Sequence, residues 1–176
     1  MNIILAIDIG TKTGWACNYA NGHVVSGMED FSNNRFSGGG MRYLRFRRWL
    51  NEMHTSQGIN EIVYEEVRRH AGTTAAHVYG GFLAVLTSYC EEHSIPYDSE
   101  TVQGIKKFWT GKGNAGKPLM IATAVEKGFN VTDDSEADAI ALLHLQISKI
   151  SSSIQIKSST KTPNAKDIAE FISLSD

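Results

Sequence analysis

Cysteine is scarce in this chain: Cys17 and Cys90 are the only two, and they lie far apart. That usage suits reduced thiols and argues against a disulfide framework or a cysteine-based zinc site. Its six histidines form no H-E-x-x-H or comparable spacing, so each reads as a surface or core residue rather than a ligand. No apolar run approaches the roughly 20 residues needed to cross a bilayer. The first residues enter directly on an apolar segment, without the basic-then-apolar layout of a secretory leader. The expectation is a cytoplasmic protein with no membrane partner. Internal repeats are missing too, which excludes a solenoid or propeller. Charge of either sign is not in excess: the net value of −2 announces no polyanionic partner by itself.

What is present is an ordinary globular composition, with 176 residues, 41% hydrophobic and 20% charged. That is enough for one domain with a core needing no staples. The charges are unevenly placed. Arg35, Arg42, Arg45, Arg47 and Arg48 follow one another with no acid among them, as do Lys106, Lys107, Lys112 and Lys117. Carboxylates gather elsewhere, at Asp133, Asp134, Glu136 and Asp138. Such separation fits a polyanion held beside an acidic metal-binding centre, and it equally fits ordinary solvated faces.

Hydrophobic periodicity predicts the elements. Residues 3–9 form a near-continuous apolar strand. Strands at 15–19 and 24–27 are joined through Asn21-Gly22, a strong hairpin signal. A glycine- and asparagine-rich loop precedes an amphipathic helix over 41–54, with Leu44, Trp49, Leu50 and Met53 inward and the arginines outward. A strand over 61–67, a helix over 73–92, a strand over 95–101 and a short helix over 102–109 follow. Residues 111–116 resist helix formation because three glycines and an asparagine favour turns. Helices over 117–127 and 136–147 close the pattern, the second entered through capping residues at 133–135. From Ser148 the composition turns polar and serine-rich. The predicted organisation is therefore a domain over 1–147 and a linker with a short helix over 148–176, that helix falling at 164–174. The fold class expected is α/β, a mixed β-sheet with helices on both faces.

Three acids stand where core logic would place apolar residues. Asp8 interrupts AIDIG, Glu65 lies in IVYEEV, and Asp138 lies within ADAIALLHL. A carboxylate in such surroundings loses hydration and needs a cation or hydrogen-bond donors. For Asp8 three readings stay open: a strand-ending residue bonded to the 10–14 turn, a Mg²⁺ ligand of a nuclease, or part of an Asp-x-Gly-Thr phosphate turn as in actin-like ATPases and sugar kinases. Glu65 and Glu66 point to opposite faces of a strand, so one of them at most can join Asp8. Carboxylates from two strands and a helix suit a pair of hard Mg²⁺ ions, about 4 Å apart, acting on a phosphodiester. Lys112 and Lys117 would then offset charge developing on the phosphate.

The ordered set AIDIGTKTGWA, YEEV, IKKFWTGKGNAGKPLM and EADAIALL resembles the RuvC family of Holliday junction resolvases, within the RNase H-like superfamily. The resemblance runs from about Asn2 to Leu145. Its GKGNAGK and DDSEADAIALL segments look most like the phage and prophage branch. It implies a crossover-junction endodeoxyribonuclease in a bacterial or phage-infected cytosol. Mg²⁺ would be its cofactor, two ions per site, with Mn²⁺ able to substitute. Asp8, Glu65 and Asp138 fall on the metal positions, and Lys106 and Lys117 on basic positions near the cleaved strand. The family's further acid or histidine falls at Ser135, a departure for which Asp134, one helical turn before Asp138, could substitute as catalytic and metal-binding acid. Branched DNA is the implied partner, contacted through Lys106, Lys107, Lys112, Lys117, Arg68, Arg69, Arg42 and Arg45, with Phe108 or Trp109 either stacking on a base or packed in the core. A homodimer is also implied, with the small face of the 73–92 helix (Ala76, Gly80, Leu83 and Ala84) as its interface. The alternatives are a non-catalytic junction-binding module of the same fold, raised by Ser135, and the actin-like nucleotide-binding protein.

Overall fold

The computed structural model describes residues 2–68 and 72–159. Its elements are β1 (Ile4–Asp8), β2 (Lys12–Asn18), β3 (Val24–Asp30), α1 (Met41–Gln57), β4 (Glu61–Glu66), α2 (Thr73–His93), β5 (Tyr97–Thr101), α3 (Val102–Thr110), α4 (Lys117–Glu126) and α5 (Asp134–Ser159). The strands form one five-stranded sheet in the order β3-β2-β1-β4-β5. β1 runs antiparallel to β2 and parallel to β4, and β5 continues parallel to β4. The β2–β3 hairpin turns at Asn21-Gly22, where the Gly22 amide donates to Tyr19 O at 2.9 Å.

Alternation along β1 divides the interior in two. Leu5, Ile7 and Ile9 join Cys17, Ile62 and the apolar sides of α1 and α2 in one core, whose centre is a set of aromatic rings from Phe31, Phe46, Trp49 and Phe82. Ile4, Ala6, Ala16 and Val63 face the other way. The first part of α5 is buried on almost every side, through Ala137, Ala139, Ile140, Ala141, Leu142 and Leu143. Helix α2 meets α1 closely at Gly81, where a Cβ would stand 2.4 Å from the Tyr43 ring.

Two expectations need correction here. Within α1 it is Phe46, not Leu44, that enters the core with Trp49, Leu50 and Met53, while Leu44 is exposed. The serine-rich segment after Ser148 is not a linker as far as Ser159, because α5 continues through it. No glycine or proline interrupts residues 131–162. The hydroxyls of Ser151, Ser152 and Ser153 donate to the carbonyls of Ile147, Ser148 and Lys149, each at 2.9 Å. Serines satisfied in this way do not compete with the helical backbone. The chain divides into two compact units between Leu145 and Gln146. The helix expected at 164–174 lies outside the described residues.

Candidate active site

Asp8 is the last residue of β1, and the pairing of Ile7 with Tyr64 sets Asp8 and Glu65 side by side on one face of the parallel pair. Glu66 points to the opposite face and pairs with Arg68 at 3.0 Å. The third acid arrives on α5. Asp133 caps that helix, its Oδ1 accepting from the Ser135 amide at 2.9 Å. Asp134 and Asp138 then follow one turn apart on the same side.

What brings α5 so near the sheet is Gly14. It pairs with Asp8 across the β1–β2 ladder, and a Cβ on it would stand 1.9 Å from Ser135 O and 2.6 Å from the Glu136 amide nitrogen. Only glycine admits the first turn of α5 there. A bond of 2.7 Å from Ser26 Oγ to Glu136 Oε1 fixes that turn against β3 and takes Glu136 away from the other acids. The sequence signal for Gly14 was confined to the GTKTG turn, and nothing in it identified a helix packed on that residue.

The electrostatics follow from this placement. Glu65 is 7% exposed, and its carboxyl is pushed from 4.5 to about 8, by burial first and then by the charges of Asp8 and Asp138. Asp8 rises from 3.8 to about 7 through burial and Asp138, while a hydrogen bond from the Ser135 side chain pulls it the other way. Asp138 rises to about 6, chiefly by burial, with Lys106 and Lys117 opposing. Among the described residues its Oδ1 is buried without a hydrogen-bond partner. Lys106 also faces Glu65. Lys117 opens α4 and holds Asp134 at 2.5 Å, which raises the lysine's own pKa.

These residues fit a hard divalent cation in chemistry. Every donor is a carboxylate oxygen, one buried oxygen lacks a partner, and positive charge is what the three raised acids require. Among the described residues no group of three or more His, Cys, Asp or Glu side chains is gathered closely enough to hold an ion. Like-charged carboxylates gain nothing by closing up unless a cation stands between them.

The remaining sequence candidates are dispersed. Lys107 and Lys112 are exposed, as is Arg68, whose guanidinium is taken by Glu66. Arg69 lies outside the described residues. The arginines of α1 are not a free outward row. Arg45 donates to Phe31 O, Ser32 O and Asn33 Oδ1, Arg47 pairs with Glu92, and Arg42 is half-buried. Trp109 belongs to the core, 5% exposed, with its indole N–H on Met120 O at 3.3 Å, whereas Phe108 is 41% exposed. The 10–13 turn, a phosphate cradle in one reading, is closed on itself by Thr13 Oγ1 donating to Gly10 O at 2.7 Å. On α2, Gly80 and Ala84 are exposed and Ala76 and Leu83 half-buried, so the small face is open in part.

A mixed sheet in this order, with acids at the ends of its central strands and on a helix whose first turn rests on β2, is the RNase H-like class of fold. Within that class the chain has the fold of the RuvC resolvases. It matches "T. thermophilus RuvC in complex with Holliday junction substrate" with a TM-score of 0.68 and 17% identity, over 81% of this chain and 90% of that one. Thermus thermophilus RuvC alone gives 0.62 and 18% identity, over 80% of this chain and 90% of that one. The yeast mitochondrial Holliday junction resolvase Ydc2 gives 0.57 and 13% identity, over 80% of this chain and 75% of that one. No protein-family model and no curated protein matches the sequence.

Proposed function

We propose that this chain is a divalent-metal-dependent, structure-selective endonuclease that cuts Holliday junctions and other branched DNA by hydrolysis. The observation that carries the reading is the mutual approach of Asp8, Glu65 and Asp138, each with its pKa raised by burial and by the charges of neighbouring acids, beside Lys106 and Lys117. The RuvC fold supports it, since one of the matched structures holds a Holliday junction substrate.

Asp8, Glu65 and Asp138 would hold the metal, with Asp134 as a further acid once Lys117 releases it. Bound Mg²⁺, two ions per site or Mn²⁺ in their place, supplies an activated water and charge compensation at a phosphodiester. The protein's own part is to keep that place dry on the sheet side through Ala6, Ala16 and Val63, and to orient Asp8 through Ser135. Lys117 reaches from an exposed position to a scissile phosphate, and Lys106 steadies the ionised form of Glu65 and Asp138. Lys107, Lys112, Arg68, Arg69 and Arg42 contact the DNA backbone, which positions the substrate without reading its sequence. Arg45 acts indirectly, by holding the loop it bonds. Cutting two opposed strands calls for a dimer about a twofold axis, for which the exposed side of α2 is the proposed interface. The GKGNAGK and DDSEADAIALL segments favour the phage and prophage branch.

One observation favours a second reading. Ser135 replaces an acid or histidine, and among the described residues no three ligands are gathered, as expected of a junction-binding module that does not cut. A synthetic four-way junction, assayed beside linear and Y-shaped DNA with Mg²⁺ or with EDTA, separates the two. Symmetrical Mg²⁺-dependent nicks, lost in Asp8→Asn, support the nuclease. Tight binding without cutting establishes the module, and Asp8→Asn cutting at the wild-type rate sinks the mechanism.

A further inference from the structure

The segment between β3 and α1 contributes nothing to the carboxylate site, yet it leaves the sheet beside it. Lys12, the first residue of β2, pairs with Asp30, the last of β3, so both lie at the end of the sheet where β1 delivers Asp8. The Phe31 amide closes that corner by donating to Thr11 O at 2.8 Å. Beyond it the loop is tied down by its own side chains. Arg45 donates to Ser32 O at 2.7 Å and to Asn33 Oδ1 at 3.2 Å. Asn34 Oδ1 accepts from the Phe36 amide at 2.9 Å and from Ser37 Oγ at 3.0 Å. Asn33 Nδ2 donates to the carbonyls of Gly38 and Gly39.

This bonding holds up an apolar tip. Phe36 is 81% exposed, the most open of the protein's large apolar side chains among the described residues. The Arg35 guanidinium carbon lies 4.6 Å from its ring centroid. Hydrophobicity alone would send a phenylalanine inward to the rings of Phe31, Phe46 and Phe82. From Phe31 to Asn51 the sequence has five arginines and no acid, a charge that suits a polyanion. A preformed loop that offers an aromatic face and a guanidinium, and that leaves the sheet at the end where β1 delivers Asp8, has the chemistry of a base-stacking platform.

We propose that Phe36, backed by Arg35, stacks on an unpaired nucleobase at the branch point of DNA bound across the carboxylate site. This rests on the branched-DNA reading above. Stacking orders one strand at the crossover without reading its sequence, and gives the loop a role in choosing branched over linear DNA.

The test uses the full chain without divalent metal, a four-way junction carrying 2-aminopurine at the crossover, and a linear duplex of matched sequence. Wild type is expected to prefer the junction and to change the 2-aminopurine fluorescence. Phe36→Ala should weaken junction binding about tenfold and lose the fluorescence change, with duplex binding unaltered, while Phe36→Trp keeps both. Phe36 is a surface residue, so circular dichroism should show both variants folded. If wild type prefers the junction and Phe36→Ala matches it in affinity and fluorescence, the stacking inference is overturned and the nuclease reading survives. If wild type shows no preference for the junction, both fall together.

Discussion

Replacing Glu65 by glutamine should spare the protein a loss of stability as metal-free solution is made less acidic, while removing one of the proposed metal ligands. The folded carboxyl sits at about 8 against an ordinary 4.5, because burial and the charges of Asp8 and Asp138 disfavour ionisation. Across that interval the native state keeps a proton that the unfolded chain has released, so stability falls as pH rises from about 4.5 towards 8. At 1.36 kcal/mol per unit, moving from about pH 5 to about pH 7.5 should cost the wild type roughly 3 kcal/mol that the glutamine variant does not lose. Any cost of burying an amide is the same at both pH values and cancels in the comparison. In a chain of this length the difference corresponds to a relative Tm change of roughly 6–12 °C. Urea or thermal melts of both proteins in EDTA at the two pH values measure it directly. Mg²⁺ should then stabilise wild type at the higher pH, by about 3 kcal/mol at a concentration a hundredfold above its Kd, and leave the variant almost unmoved. A wild-type-to-variant difference that stays flat with pH would refute the buried-carboxylate account.

Other outcomes test neighbouring parts of the site. Gly14→Ala should destabilise by about 3 kcal/mol or more, since the new methyl meets the backbone of Ser135 rather than a side chain that can swing away; chemical denaturation reads this, and a loss below about 1 kcal/mol would mean α5 yields easily. Lys106→Met should shift the pH–rate profile of metal-dependent cleavage upwards, because the cation that lowers the pKa values of Glu65 and Asp138 is gone. An unmoved profile would remove Lys106 from the site. Lys117→Ala frees Asp134 from an ion pair whose lysine is exposed, so the pair contributes little to stability. Cleavage should nevertheless fall about a hundredfold if the lysine serves the phosphate, and a rate within twofold of wild type would leave it only the ion pair.

Much of the architecture was written in local pattern. Apolar runs bounded by turn residues located the strands, and the Asn21-Gly22 hairpin and the glycine-rich break at 111–116 stand where propensity put them. Asp8, Glu65 and Asp138 were legible for the same reason, since a carboxylate in an apolar segment is costly wherever that segment goes. Tertiary structure decided what depends on residues far apart in sequence. Whether Phe46 or Leu44 enters the core depends on where α1 lies against Phe31 and Phe82, not on helical spacing alone. The continuation of α5 to Ser159 follows from propagating a helix already begun, which composition does not register, and the hydroxyls of Ser151, Ser152 and Ser153 find partners within it. Gly14 matters because a helix more than a hundred residues later rests on it. The carboxyls are raised because folding buries each of them and because β1, β4 and α5 bring their charges together. Sequence alone determined which groups were available for chemistry, and folding determined their burial and proximity and therefore their protonation.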